Sequence, residues 1–212
     1  MPVRDVVTRS SCHSRGYFPS LKNGHSVEWE SQLEGGFFRL LELSPSVRSY
    51  EVQPSRERIS VGESIVEYIP DIRVFLEDGR EWWFEVKPEK RLLIRKVKQK
   101  MAAAELHFAA TNRNFSIVTE ALIWSSPLAS NLQKILYHRR GPWLSPSHQA
   151  EVCSKLNKYK PRFFGEVVSI FGEMDAWSLL GLGIVGVDLE QTLTQGSEVF
   201  LSGGHRHANL FT

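Results

Sequence analysis

The stretch YIPDIRVFLEDGREWWFEVKP, residues 68–88, decides how this chain folds. IRVFL after Asp71 reads as a strand, EDGR supplies a turn, and EWWFEVK returns as a second strand that ends at Pro88. Alternation puts Trp83, Glu85 and Lys87 on one side of the returning strand and Trp82, Phe84 and Val86 on the other. Two charged groups therefore point together from a strand otherwise built for burial, and Trp82 and Trp83 read as core rather than as a stacking platform. The turn decides what faces them. A two-residue loop at Asp78-Gly79 sets Asp71 across from Val86, on the wrong face for Glu85. A three-residue loop over Glu77, Asp78 and Gly79, with Gly79 left-handed and a bulge beside it, sets Asp71 opposite Glu85. We expect the second register.

Working outward, Trp29, Leu33, Phe37, Leu40 and Leu41 recur at helical spacing, which predicts a helix starting near Ser26 with Glu30 and Glu34 on a shared stripe. VRSYEVQP from Val47 reads as a strand ended by Pro54, and RERISVGESIVEYIP as a hairpin turning at Val61, Gly62 and Glu63. Beyond Pro88 one long helix is expected to bury Leu93, Val97, Met101, Ala104 and Phe108, with FSIVTEALI as a closing buried strand. Composition changes at WSSPLAS, Trp124 to Ser130, which divides the chain into residues 1–125 and 126–212. In the second part HQAEVCSKLNKY, RFFGEVVSIFG and MDAWSLLGLGIV read as three short helices, and IVGVDLEQTLTQGSEVFL as two strands around a wing.

With 212 residues, 42% apolar and 24% charged, the chain has ordinary globular usage and no repeat. The two cysteines, Cys12 and Cys153, stand far apart, so neither a disulfide framework nor a CxxC metal site is available, which suits a reducing cytoplasm. The longest uncharged apolar stretch, residues 176–187, is interrupted by Gly181, Gly183 and Gly186 and is shorter than the roughly 20 residues of a spanning helix. No membrane partner is expected, and the start carries no apolar signal region. A net charge of +2 says little about nucleic acid, but its distribution says more. Between Lys87 and Lys100 seven basic residues face a single acid, Glu89. Such a run is either a solvated face or a phosphate-tracking surface, and its departure directly from Lys87 favours the second for Lys90, Arg91, Arg95, Lys96, Lys98 and Lys100.

The chemistry-bearing set is Glu34, Asp71, Glu85 and Lys87. Magnesium prefers hard oxygen ligands and uses few protein carboxylates, and Asp71 and Glu85 supply that type of donor. A cation beside them, Lys87, suits stabilisation of a phosphorane-like transition state or of an attacking hydroxide. Glu34 completes the shell from the neighbouring helix. Glu105, placed next to the expected core stripe where a bare carboxylate is costly, is a candidate for a further metal ligand. The same residues also have a plain reading, in which Asp71 opens a strand and Glu85 and Lys87 form an exposed same-face pair. Glu30 competes with Glu34, and His205 with His207 reads as a flexible tail rather than a metal site.

At these residues the chain resembles the TnsA-type transposon-end endonucleases. The resemblance runs from about Tyr17 to Ile123 and is carried by FPSLKNGHSVEWESQLE, by LLELSPSVRSYEVQP with Gln53-Pro54, by YIPD at 68–71 and by EVKP at 85–88. It implies an α/β, restriction-endonuclease-like mixed sheet flanked by helices, followed by a smaller winged-helix-like C-terminal domain for partner and DNA contact. It further implies that Glu34, Asp71 and Lys87 act with Glu85 at the ligand position, a place where some members carry Gln. The implied cofactor is Mg2+, with Mn2+ as a substitute. The implied activity is cutting of the 5′ strand at transposon ends in double-stranded DNA, with an integrase-type transposase subunit and an AAA+ ATPase regulator as partners. The alternatives are a noncatalytic adaptor bridging those partners and a stand-alone restriction or repair nuclease.

Overall fold

The computed structural model describes residues 15–139, 144–208, 210 and 211. Cys12 lies outside them. The backbone divides into two units, one comprising the chain up to Glu42 together with Ser46–Trp124, the other Leu43–Pro45 with the chain from Ser125 onward.

The first unit opens with a hairpin of β1 (Gly16–Ser20) and β2 (His25–Trp29), followed by α1 (Gln32–Leu43), β3 (Val47–Val52), the hairpin β4 (Glu57–Val61) and β5 (Ser64–Tyr68), then β6 (Ile72–Leu76) and β7 (Glu81–Val86). Two helices, α2 (Glu89–Leu92) and α3 (Arg95–Ala110), cross over to β8 (Asn114–Val118), and α4 (Glu120–Ile123) ends the unit. The central sheet has the order β3-β6-β7-β8, antiparallel except for the β7–β8 pair, which is parallel as a helical crossover requires. It is a mixed sheet flanked by helices. On one face Phe37 of α1 meets Phe84 edge-on at 5.2 Å. On the other, α3 buries Met101, Ala104 and Phe108 in a cluster with Ile59, Tyr68 and Trp83. Both faces of β7 are thus covered, which explains why Trp82 and Trp83 are each only 7% exposed.

The register of the β6–β7 hairpin is the one the three-residue loop demands: Ile72 pairs with Phe84, Arg73 with Trp83 and Phe75 with Glu81. Leu76 N–H bonds to Arg80 O at 2.9 Å around Glu77–Gly79, and Gly79 takes φ +85°, a conformation that side-chain-bearing residues resist. Continued by one residue, this pairing brings Asp71 opposite Glu85.

Two expectations about helices need correction. The first helix begins at Gln32, not near Ser26, because Asn23-Gly24 turns the chain and residues 25–29 pair with β1. Trp29 is therefore a strand residue, and Glu30 precedes the helix instead of sharing a stripe with Glu34. The helix after Pro88 is two helices. Ile94 adopts an extended conformation (φ −71°, ψ 121°) that ends the α2 turn, and Leu93, expected in the buried stripe, is 84% exposed. Strand β8 stops at Val118, and Glu120–Ile123 forms α4 instead of continuing it.

The second unit holds α5 (Leu128–His138), α6 (Pro146–Tyr159), α7 (Phe164–Phe171), α8 (Glu173–Gly181) and the short antiparallel pair β9 (Gly186–Val187) and β10 (Val199–Phe200). Among the described residues, four helices stand where three were expected. Phe164 packs edge-on against Trp177 at 4.9 Å, and Asn131 Nδ2 donates to Leu189 O and Gln191 O at 3.0 and 2.7 Å. His205 is not part of a flexible tail: it is 2% exposed, its Nδ1 accepts from Val187 N–H at 3.2 Å and its Nε2 donates to Leu180 O at 2.8 Å. Burial lowers it to about 4, so it is neutral at pH 7 and serves as a peg between α8 and β9.

Candidate active site

Asp71 enters the site at the mouth of β6, and its Oδ2 accepts the backbone N–H of Val86 at 2.8 Å. That bond ties the end of β7 to the start of β6 and fixes the carboxylate beside Glu85 and Lys87. Behind it, Gln53 N–H bonds to Asp71 O at 2.8 Å from a residue with positive φ (46°), so the Gln53-Pro54 corner holds the Asp71 backbone from the other side.

Glu85 is 3% exposed and both of its oxygens are engaged. Tyr68 donates its hydroxyl to Oε2 at 2.7 Å, and the Lys87 ammonium lies 2.6 Å from Oε1. The same ammonium is 3.8 Å from Asp71 Oδ2. One cation thus serves two carboxylates, as the alternation along β7 predicts for Glu85 and Lys87. Glu34 stands in the first turn of α1, held by Ser31 Oγ at 2.9 Å and by Glu30 N–H at 2.9 Å. Ser31 Oγ in turn accepts Glu34 N–H at 3.2 Å, the reciprocal S-x-x-E arrangement that opens a helix. Glu30 faces elsewhere, toward Arg15 at 3.5 Å and Gln53 Nε2 at 3.4 Å.

The electrostatics bind these groups into one site. Burial raises Asp71 well above the ordinary carboxylate range and the charge of Glu85 adds to this, while Lys87 pulls it back and Glu34 pushes it up again. Burial also raises Glu34, against the hydrogen bonds from Glu30 N–H and Ser31. For Lys87 burial works against the charge, but Asp71, Glu85 and Glu34 more than offset it, so its pKa lies above the ordinary value. Lys87 is consequently an ammonium at neutral pH. It acts through its charge and its protons, not as a base. Burial and the Glu85 charge push the Tyr68 phenol upward, which keeps its proton available to Glu85.

Among the described residues no three His, Cys, Asp or Glu side chains form a ready-made metal cage. The donor set suited to a hard cation is the Asp71–Glu85 pair, a number of protein carboxylates that matches magnesium's habit of keeping waters and binding substrate phosphate. Asp71 Oδ1 makes no hydrogen bond within the described residues and offers lone pairs; Glu34 contributes field from the adjoining helix. Glu105 does not belong here. It is exposed on α3, one residue off the buried line of Met101, Ala104 and Phe108, and shares no hydrogen bond or ion pair with the site.

Tyr68, Gln53 and Ser31 also join the site, each from one of the sequence stretches quoted above. Only the S-x-x-E spacing of Ser31 and Glu34 carried a local signal; the Tyr68–Glu85 contact spans two strands and leaves none. Of the basic residues, Lys90, Arg91, Arg95, Lys96 and Lys98 are exposed, while Lys100 is half-buried with its ammonium 5.2 Å from the Tyr68 ring. None of the six forms an ion pair among the described residues.

No curated protein matches this chain. A family model does: residues 44–120, a little over a third of the sequence, match the family described as TnsA-like endonuclease N terminal. Asp71, Glu85 and Lys87 fall inside the matched segment, whereas Glu34 precedes it. Over residues 44–120 the first unit is therefore similar to the TnsA-like endonuclease N-terminal family, and the mixed sheet and the register that gathers an acid pair beside one lysine accord with that similarity.

Proposed function

We propose that the chain is the magnesium-dependent endonuclease subunit of a heteromeric transposase, cutting the 5′ strand at transposon ends in double-stranded DNA. The observation that carries this reading is the convergence of Asp71, Glu85 and Lys87 inside the matched segment, with the Lys87 ammonium between two largely buried carboxylates.

Asp71 and Glu85 would hold the ion, with Mn2+ as a substitute. When bound, the ion supplies Lewis-acid polarisation of the scissile phosphate and acidifies a bound water. The remaining roles belong to the chain. Lys87, charged at neutral pH, stabilises negative charge that grows on the phosphate. Tyr68 keeps Glu85 oriented, Val86 N–H keeps Asp71 oriented, and Glu34 adds negative potential that favours cation entry. Lys90, Arg91, Arg95, Lys96 and Lys98 lie on helices that leave directly from Lys87, and their unpaired charges suit the phosphates flanking a cut. The second unit, helical with a small antiparallel pair, serves in this reading as a winged-helix-like module for DNA and for the AAA+ ATPase regulator. An integrase-type transposase cuts and joins the other strand, and the system operates in the cytoplasm.

The test is nicking of an end-bearing duplex by the full chain with a candidate integrase-type transposase, with and without Mg2+, and with Asp71→Ala as control. A nick on the 5′ side that requires Mg2+, the partner and Asp71 supports the proposal. Cleavage by the chain alone points to a stand-alone restriction or repair nuclease. Absence of cleavage under every condition, with the partner complex still forming on DNA, points to an adaptor. Unchanged nicking by Asp71→Ala removes the site.

A further inference from the structure

Between α2 and α3 the chain places two apolar side chains in water: Leu93 is 84% exposed and Ile94 44%. Neither belongs to the buried line of α3, which is Met101, Ala104 and Phe108. They sit in the middle of the cationic run, with Lys90 and Arg91 before them and Arg95, Lys96 and Lys98 after, all exposed. The combination discriminates between partners. Protein interfaces deplete lysine around an apolar centre, because each buried ammonium is costly to desolvate. Duplex DNA accepts both features at once: cations meet the phosphates while an apolar side chain enters between base steps and unstacks them. Position along the chain points the same way, since Lys87 precedes Leu93 by only the four-residue helix α2 and its flanks.

We propose that Leu93, with Ile94 beside it, is a wedge that enters the groove of bound duplex DNA and opens a base step close to the phosphate presented to Asp71, Glu85 and Lys87. The location next to the cut rests on the nuclease reading; the wedging of DNA does not. Opening a step near the scissile phosphate bends the backbone toward the acid pair and frees the strand to be cut from its stacked geometry. The Lys and Arg side chains supply affinity that falls with salt, and the apolar pair supplies deformation of the duplex.

The experiment measures linking number, which needs no known binding sequence. A relaxed plasmid is closed by a type IB topoisomerase in EDTA with saturating full-length chain, so that no metal-dependent cutting intrudes. The wild-type chain is expected to shift the topoisomer distribution. The double variant Leu93→Ala with Ile94→Ala is expected to keep its melting temperature, since both side chains are exposed, to bind plasmid within about threefold of wild type, and to lose most of the shift. Leu93→Met retains the shift. Lys90→Ala with Arg95→Ala and Lys96→Ala instead weakens binding and flattens its salt dependence. The proposal is overturned if the wild-type chain fails to bind or shift the plasmid, or if the double alanine variant shifts it equally; loss of transposase association with an unchanged topoisomer shift identifies the pair as a protein-docking site and overturns it too. Asp71→Ala leaves the shift intact in every case, so failure of the nuclease reading shows only in the nicking assay.

Discussion

Lys87→Met keeps the apolar stem of the side chain and removes its charge. In the folded protein the ammonium stands 2.6 Å from Glu85 Oε1 and 3.8 Å from Asp71 Oδ2. At an effective dielectric near 20, each contact carries roughly 4 to 6 kcal/mol of gross attraction. Desolvation of three groups offsets much of that, and a third of the Lys87 side chain remains in water, so the net cost of the substitution is about 2 to 3 kcal/mol. The deficit depends on pH in a direction the structure dictates. Lys87 has a raised pKa, so its own contribution is fully present below its ordinary pKa and does not change near neutrality. Asp71 is raised mainly by burial and next by Glu85, with Lys87 the strongest influence against it. Without Lys87 it rises further. A carboxyl raised in the folded state favours folding below its unfolded pKa and loses that contribution as pH climbs through the folded value. The variant is therefore weakest at high pH, where Asp71 ionises in its buried place with no cation beside it. Urea unfolding in EDTA is expected to show a deficit of about 2 to 3 kcal/mol near pH 8 and at least about 1 kcal/mol less near pH 5. Equal deficits at both pH values, or none at either, would refute the reasoning that Lys87 offsets the buried charge of Asp71.

Glu105→Ala is expected to leave Mg2+-dependent nicking within about twofold of wild type, whereas Asp71→Asn lowers it by at least about a hundredfold; a large effect at Glu105 would contradict its exposed position. Tyr68→Phe leaves Glu85 Oε2 without its 2.7 Å donor in a buried place, and should cost about 1.5 to 3 kcal/mol in thermal or urea unfolding. Glu57 is held down to about 2, first by its bonds to Arg113 and then by His107 and Ser55, so its stabilisation is present above its ordinary pKa and lost as pH falls toward 2. Allowing for screening by water, Glu57→Gln should cost about 1 to 2 kcal/mol at neutral pH and nothing near pH 2, as read from urea titrations at each pH. Phe108→Ala empties the space between Trp83, Tyr68 and Phe115 and should lower unfolding free energy by about 3 to 5 kcal/mol.

Local patterns in the sequence were enough for β6, β7 and their loop, because period-two alternation and a glycine that tolerates positive φ constrain register over a few residues. That register was also enough to pair Asp71 with Glu85 and to put Lys87 on the same side. Helical spacing alone starts the first helix six residues early because Trp29 happens to continue the spacing of Leu33 and Phe37, while the Asn23-Gly24 turn and the Ser31–Glu34 capping pattern mark where the strand ends and the helix begins. Leu93 departs from the buried stripe for the same kind of reason: spacing alone assumes that the helix is unbroken, and the extended Ile94 breaks it.

What the sequence by itself determined is therefore the chemistry available and its short-range geometry: two acids and a lysine brought together by one hairpin, beside a cationic run. Only the tertiary structure decided which other groups join them. Tyr68, from a different strand, reaches Glu85; Gln53 holds the Asp71 backbone; Glu34 is in the field of Asp71 and Lys87 while Glu105 faces water. The physical reason is that hairpin register is set by contacts among neighbours in the chain, whereas the burial that raises Asp71 and Glu34 depends on segments that meet only when the sheet is covered on both faces.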